Sequence, residues 1–244
     1  MTSPEDPIVK QVRAALESDP RIDIHHHPLR VSVAAGAVVL EGELESIAAR
    51  KRALRLAAAV DGVAGVVDRL HVKPSQVRSD GEVRDALSSL LLGESELRDC
   101  AMRVFAKGRA ETLRDVPTQR AGAIDLAIEE GIVTLEGTVI SLSHKRLVGV
   151  LAWWTPGVRD VINSLDVVPP EEDNDGEVID ALGLVYEIDP VVRHDQVTVA
   201  CHDGVVKLSG AVGTEEERRR AELDAWALFA VDDVVNELEV RAAP

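Results

Sequence analysis

Apolar and polar residues alternate with period two in three stretches of the chain. These are Leu29, Val31 and Val33; Ile124, Leu126 and Ile128; and Val197, Val199 and Cys201. Such alternation predicts strands with one buried face. A turn follows each stretch, at Ala35 and Gly36, Glu130 and Gly131, or Asp203 and Gly204. Glycine accepts the positive φ of a two-residue hairpin turn. Each stretch therefore opens a β-hairpin whose second strand turns Val38 and Leu40, Val133 and Leu135, or Val206 and Leu208 inward. The period then lengthens to that of a helix. Ala53, Ala57 and Val60, then Val148 and Ala152, then Ala221, Ala225 and Leu228 are spaced for one buried helical face. Ser46, Ser141 and Thr214 stand where the N-caps belong. Thr214 and Glu217 have capping-box spacing, with Glu217 placed to reach back to the cap N–H. Third strands are expected at Val66–Val72, 161–167 and 234–240, and upstream helices at about 8–17, 82–92 and 177–186.

These stretches are copies of one another. "AAGAVVLEG" at 34–42 recurs as "EEGIVTLEG" at 129–137 and "HDGVVKLSG" at 202–210. From Gly36 to Val72 the three copies align without a gap, at offsets of 95 and 73 residues. The first glycine of each lies between two strands, whereas a phosphate loop runs from strand into helix. The repeated glycines thus serve the backbone. Each copy reads α-β-β-α-β, an α+β unit with two helices on one face of a three-stranded mixed sheet. The domains are expected at 6–74, 79–169 and 175–242. Two linkers, "VKPSQVRSD" and the acidic "VPPEEDNDGE", are where the units should hinge. The middle copy holds an insertion at about 94–119. Its "ESELRDCAMRVFAKG" reads as an amphipathic helix with Leu97, Cys100, Ala101, Val104 and Phe105 on one side and Arg98, Arg103, Lys107 and Arg109 adding positive charge.

Composition is that of an ordinary globular chain, 45% hydrophobic and 29% charged in 244 residues. Aromatics make up only 2%, so the core is aliphatic. The net charge of −16 argues against nucleic acid as a partner, which requires a basic footprint. The charge is unevenly spread. Residues 6–75 carry ten basic and nine acidic side chains, whereas 171–243 carry six basic and nineteen acidic, a net of −13. The first third could approach an anionic surface, whereas the last third would resist it. No apolar run has the length of a membrane span. "MTSPEDPIVKQV" lacks the basic and apolar regions of a secretory signal, so the cytoplasm is the expected compartment.

The glycine turn, the V-x-L-x-G strand, the capped helix and the closing "GVRDVINSLDV" or "VDDVVNELEV" resemble the BON domain, the bacterial module named for osmotically induced and nodulation proteins. The resemblance covers three copies and most of the chain. The first copy departs from it at Asp68, where the others have Asn163 and Asn236. The resemblance implies a non-enzymatic, stress-linked protein. Members of this family are often found in the periplasm or outer membrane and are associated with anionic phospholipid binding, envelope integrity and chaperone-like activity. A cytoplasmic relative joins one such domain to a LysM module and binds potassium; no LysM-like tail is visible after Val240.

Each helix that follows a hairpin carries paired bases in its first turns: Arg50 and Lys51, Lys145 and Arg146, Arg218 and Arg219. Cations there oppose the helix dipole, at a cost of roughly a few tenths of a kcal/mol. Threefold repetition of that choice marks them as candidates for an anionic head group or an acidic partner. The alternative is that their stems cover the core margin while their charges stay in water, balanced by Glu43, Glu45, Glu215 and Glu216.

Other chemistry-bearing residues read more plainly. In "HHHP" at 25–28, at most His25 and His27 could share an ion from a strand, and no completing ligand stands at recognised spacing. His194, Asp195 and His202 lie several residues apart. Cys201 is in phase with Val197 and Val199 and reads as core, and Cys100 lies in the insertion without a histidine signature. Trp153 and Trp226 occupy equivalent helix positions and read as packing residues. No nucleophile, base and orienting group recur together, so neither enzyme activity nor a metal or cofactor is expected. The favoured function is binding of a protein, an anionic lipid or an unfolded client through helix faces or through apolar sheet positions such as Val39, Ile132 and Val205. The alternative is sensing of an ion or small ligand by the acidic turns and linker.

Overall fold

The computed structural model describes residues 6–116 and 122–241. It forms two compact units, Met1–Lys73 and Pro74–Pro244. The first holds α1 (Pro7–Ser18), β1 (Arg30–Ala34), β2 (Ala37–Leu44), α2 (Ile47–Ala58) and β3 (Val66–Val72). Its strands lie in the order β1-β2-β3, antiparallel and then parallel. Val12 and Leu16 of α1 and Ala53 and Ala57 of α2 close over Val38, Leu40 and Leu70, all of them buried.

The second unit opens with α3 (Asp80–Gly93), β4 (Ala101–Ala106), β5 (Arg109–Arg114), β6 (Gly122–Glu129), β7 (Ile132–Val139), α4 (Leu142–Trp154) and β8 (Asp160–Val167). It continues with α5 (Asp175–Ile188), β9 (Val197–His202), β10 (Val205–Val212), α6 (Glu215–Ala227) and β11 (Asp233–Val240). The last three strands form the sheet β11-β10-β9, with the same mixed pairing as the first.

The insertion is not a helix. After one 3-10 turn at Ser95–Leu97 it forms the hairpin β4–β5, which widens the middle sheet to β5-β4-β6-β7-β8. From Cys100 onward the true period is two: Cys100, Met102 and Val104 are buried, while Arg103 and Phe105 are exposed. Lys107 and Gly108, at φ 52° and 72°, form the same left-handed pair as the three repeated turns. Arg114 donates from Nη2 to the Leu92 carbonyl and from Nη1 to the Leu97 carbonyl, both at 2.6 Å. It thereby closes the carbonyl end of α3 against the edge strand.

Two local expectations also change. Ser46, Ser141 and Thr214 do cap their helices. Glu217, however, accepts from Gly213 N and from Arg193 rather than from the Thr214 N–H. The reciprocal capping box occurs instead at Ser79 and Glu82 of α3. The acidic linker is no free hinge either. Glu171 accepts from Leu142 N at 2.7 Å and Asp173 from Arg146 Nη2 at 2.6 Å, so it is tied to the first turns of α4. Helix α4 packs on α5 and α6, which joins the second and third copies in one compact unit.

At Gly137 and Gly210 the second strand of a hairpin passes so close to its neighbour that a Cβ would strike the carbonyl oxygens of Ala123 and Gln196, respectively. Their φ values, 114° and 126°, exclude side chains as well.

Candidate functional site

The paired bases are brought to equivalent positions but to different company. Arg50 pairs with Asp68 at 2.8 Å. Arg146 has a fully buried side chain, which pairs with Asp173 at 2.6 Å and stacks over Phe229, 4.5 Å from the ring centre. Lys145 lies over the same ring at 5.4 Å. Arg218 pairs with Glu215, Lys51 is half-buried and Arg219 is exposed. Arg146 is thus an internal residue rather than a surface cation.

The histidines of "HHHP" precede β1 and lie in a turn organised by Asp23. That carboxylate accepts from His25 N and His26 N and contacts His26 Nδ1 at 2.6 Å. The His26 backbone and ring hydrogen bonds hold Asp23 below the usual carboxylate range. Among the described residues, one mixed group has ligand atoms within 4.8 Å of one another: Asp175, His202 and Asp203. Asp175 holds the adjoining turn, accepting from Asp203 N, Gly204 N and the Cys201 thiol. Asp80 accepts from Glu130 N and Gly131 N in the same way, so the carboxylate has a structural duty in both copies. The Cys201 hydrogen bond, first among several, lowers Asp175. Burial, followed by Asp175, pushes the Cys201 thiol up to about 11. Burial likewise raises Cys100. Neither thiol is an available nucleophile at neutral pH.

The sheet face opposite the helices differs among the copies. In the first, Val67 is 40% exposed but Val39, expected on open surface, is buried. In the third, Val205 and Val235 are exposed but lie in different rows, with Lys207 beside Val235. Among the described residues, the middle sheet carries an unbroken row of uncharged residues across all five of its strands. The register aligns Ala110, Phe105, Ala127, Thr134 and Ile162, and the row spans about 19 Å at the usual strand separation. Phe105 and Ile162 are 40% and 49% exposed. The next row reads Thr112, Arg103, Asp125, Glu136 and Ser164. Arg103 forms a two-pronged pair with Asp125, at 2.7 and 2.5 Å, and lies 5.7 Å from the Phe105 ring centre. Between the rows is a shallow cavity of about 270 Å³, lined by Phe105, Asp125, Leu126, Ala127, Thr134 and Glu136. Helical spacing puts Phe105 on the apolar side of an amphipathic helix; the period-two run through Met102 and the Lys107–Gly108 turn are the signals for this face instead.

A strand-turn-strand unit roofed by two helices, repeated three times with variable outer faces, defines a modular scaffold. The BON domain model matches residues 4–74, 109–169 and 174–242, and the chain belongs to that family. Osmotically-inducible protein Y of Escherichia coli K12 is 29% identical over 144 residues, covering 57% of this chain and 71% of that protein. Among solved structures, the C-terminal domain of CdsD, the structural protein of the type III secretion system of Chlamydia trachomatis, matches at 13% identity and a TM-score of 0.23, covering 99% of this chain and all of that one. A second CdsD structure gives 14% identity and 0.23 over 98% and 94%. Scores of that size carry no argument.

Proposed function

We propose that the chain is a non-catalytic binding protein, related to osmotic stress as its similarity to an osmotically inducible protein suggests, that holds extended or unfolded polypeptide on the outer face of the five-stranded sheet. The observation carrying this reading is the continuous uncharged row that includes exposed Phe105 and Ile162. Isolated exposed apolar residues are common; two of them in one continuous uncharged row support a contact surface here. Asp125 and Glu136 outnumber Arg103 in the adjoining row, which suits a segment bearing apolar and basic side chains better than an anionic head group. The pairing of Arg50 with Asp68 and of Arg146 with Asp173 weakens the lipid alternative further. The reading requires no particular compartment, and the relative's name lends the cytoplasmic expectation no support.

Suppression of client aggregation by the full chain tests the reading, with Phe105→Glu and Ile162→Glu as variants and Val77→Glu, at a 96% exposed position, as control. Loss of suppression in the first two alone is expected. Suppression that survives both substitutions, or anionic-vesicle binding with no effect on clients, overturns it. A second reading, cation sensing, is favoured by the Asp175, His202 and Asp203 group. Calorimetric titration with potassium, calcium and zinc, giving heat that His202→Ala removes, is its test.

A further inference from the structure

The seam between the second and third copies contains two carboxylates and one guanidinium. Asp224 of α6 is 1% exposed. Its Oδ1 accepts from Trp154 Nε1 of α4 at 2.8 Å and lies 3.3 Å from Arg220 Nε. Its Oδ2 is buried and accepts no hydrogen bond from the described residues. Asp189, 4% exposed, caps the C-terminal end of α5. It accepts from Val191 N at 2.7 Å and from Arg220 Nε at 2.5 Å, and it stands within hydrogen-bonding reach of Asp224. The Arg220 guanidinium also covers the Trp154 ring, at 4.6 Å.

One cation cannot neutralise two buried anions, and Arg220 is nearer to Asp189. A buried carboxylate close to a second carboxylate is relieved by taking up a proton. We propose that a proton held between Asp189 and Asp224 lets Asp224 stay buried in the seam where α6 meets Trp154 of α4, making this seam a device that loosens as pH rises.

The groups facing Asp224 pull in both directions, Arg220 and Trp154 towards the ionised form and Asp189 towards the proton. Its own helix offers Arg220. From α5 and its end come Tyr186, whose hydroxyl donates to Ala221 O, and Asp189. From α4, Trp154 brings a donor without charge. Burial raises Asp224 to about 8, a shift that Arg220 and the Trp154 hydrogen bond oppose and Asp189 reinforces. With the seam open, the hydrated carboxyl returns to its ordinary value near 3.9. The closed form therefore retains a proton that the open form releases, and opening becomes easier between about pH 4 and pH 8, by at most roughly tenfold per unit. Below and above that window the Asp224 proton contributes no pH dependence.

Two measurements on the full chain test the proposal. Carboxyl ¹³C NMR, with Asp224 assigned by Asp224→Asn, is expected to show titration near 8. Hydrogen-exchange protection in α4 and α6, corrected for intrinsic rates, is expected to fall roughly tenfold or more from pH 5.5 to 7.5. Asp224→Asn should keep the seam closed with a flat profile, since its amide donates where the acid proton did. Asp189→Asn should move the Asp224 midpoint down. Titration of Asp224 near 4, flat protection in the parent chain, or an unmoved midpoint in Asp189→Asn overturns the proposal.

Discussion

The side-chain amide of Asn163 donates to the backbone carbonyl of Lys145 at 2.8 Å, tying β8 to the first turn of α4. Asn236 does the same to Arg218, at 3.1 Å. Each asparagine oxygen accepts the N–H two residues on, from Leu165 or Leu238. In the first copy Asp68 accepts from Leu70 N in the same manner but has no amide to donate. Arg50, at the position of Lys145 and Arg218, supplies the missing link by donating its guanidinium to Asp68. The base that looked like a ligand-binding residue thus completes a strand-to-helix tie.

Asn163→Asp should then be costly, because a carboxylate would face the Lys145 carbonyl with no arginine to answer it. The expected loss is about 1–3 kcal/mol, read from urea unfolding of the second unit. Asp68→Asn should change the first unit by less than about 1 kcal/mol, since the amide replaces one tie with another.

Two glycines at positive φ should respond differently to alanine. At Gly36, φ 84°, an added Cβ meets open space. Gly36→Ala is expected to cost about 1–2 kcal/mol for the left-handed backbone alone. At Gly137 the same methyl would land on the Ala123 carbonyl and part β6 from β7. Gly137→Ala should cost about 3 kcal/mol or more, or prevent folding. Thermal melts of the two variants separate the cases.

The first unit should lose stability in acid. Asp19 is lowered to about 2, chiefly by its side-chain hydrogen bond to Arg21, with Arg52 adding a smaller attraction. A depressed carboxyl contributes stability that is fully present above its unfolded value near 4 and is lost as pH falls towards 2. Partly screened by solvent, that contribution is of order 1 kcal/mol. Asp19→Asn should flatten the acid limb of unfolding followed by probes in α1 and α2. An unchanged slope would show that other carboxylates carry it.

The three hairpins and their following helices were legible because period-two runs, glycine turns and hydroxyl caps agree within each copy. The insertion was not, because Leu97, Cys100, Ala101, Val104 and Phe105 also satisfy helical spacing. What decided for strands lay beyond that window: the Lys107–Gly108 turn and pairing with β6, including Arg103 to Asp125. The six bases were legible as a repeat, but Asp68, Asp173 and Phe229 are distant in sequence and gave no local signal. The seam was less visible still. Trp154 and Asp224 are seventy residues apart, and neither position repeats: Trp154 aligns with Ala227, and Asp224 with Leu151.

Arg146 and Arg50 open equivalent helices but should not respond alike. The Arg50 side chain keeps 17% exposure and its partner Asp68 keeps 28%, so the pair is partly screened. Arg50→Ala is expected to cost about 1 kcal/mol. Arg146 is wholly enclosed, with Phe229 on one side and Asp173 at its end. Truncation leaves a void beside the ring and frees the linker from α4, although Asp173, at 42% exposure, can rehydrate. Arg146→Ala should therefore cost about 2–4 kcal/mol. Arg146→Glu should cost more, placing a carboxylate against both the ring face and Asp173. Urea unfolding of these variants checks the order. Equal, small losses would mean that the linker is not anchored at Arg146. The predicted order also fixes how vesicle experiments are read, because charge reversal at Arg146 would report unfolding rather than lost anion binding, whereas Arg219→Glu reverses an exposed charge and leaves the packing alone.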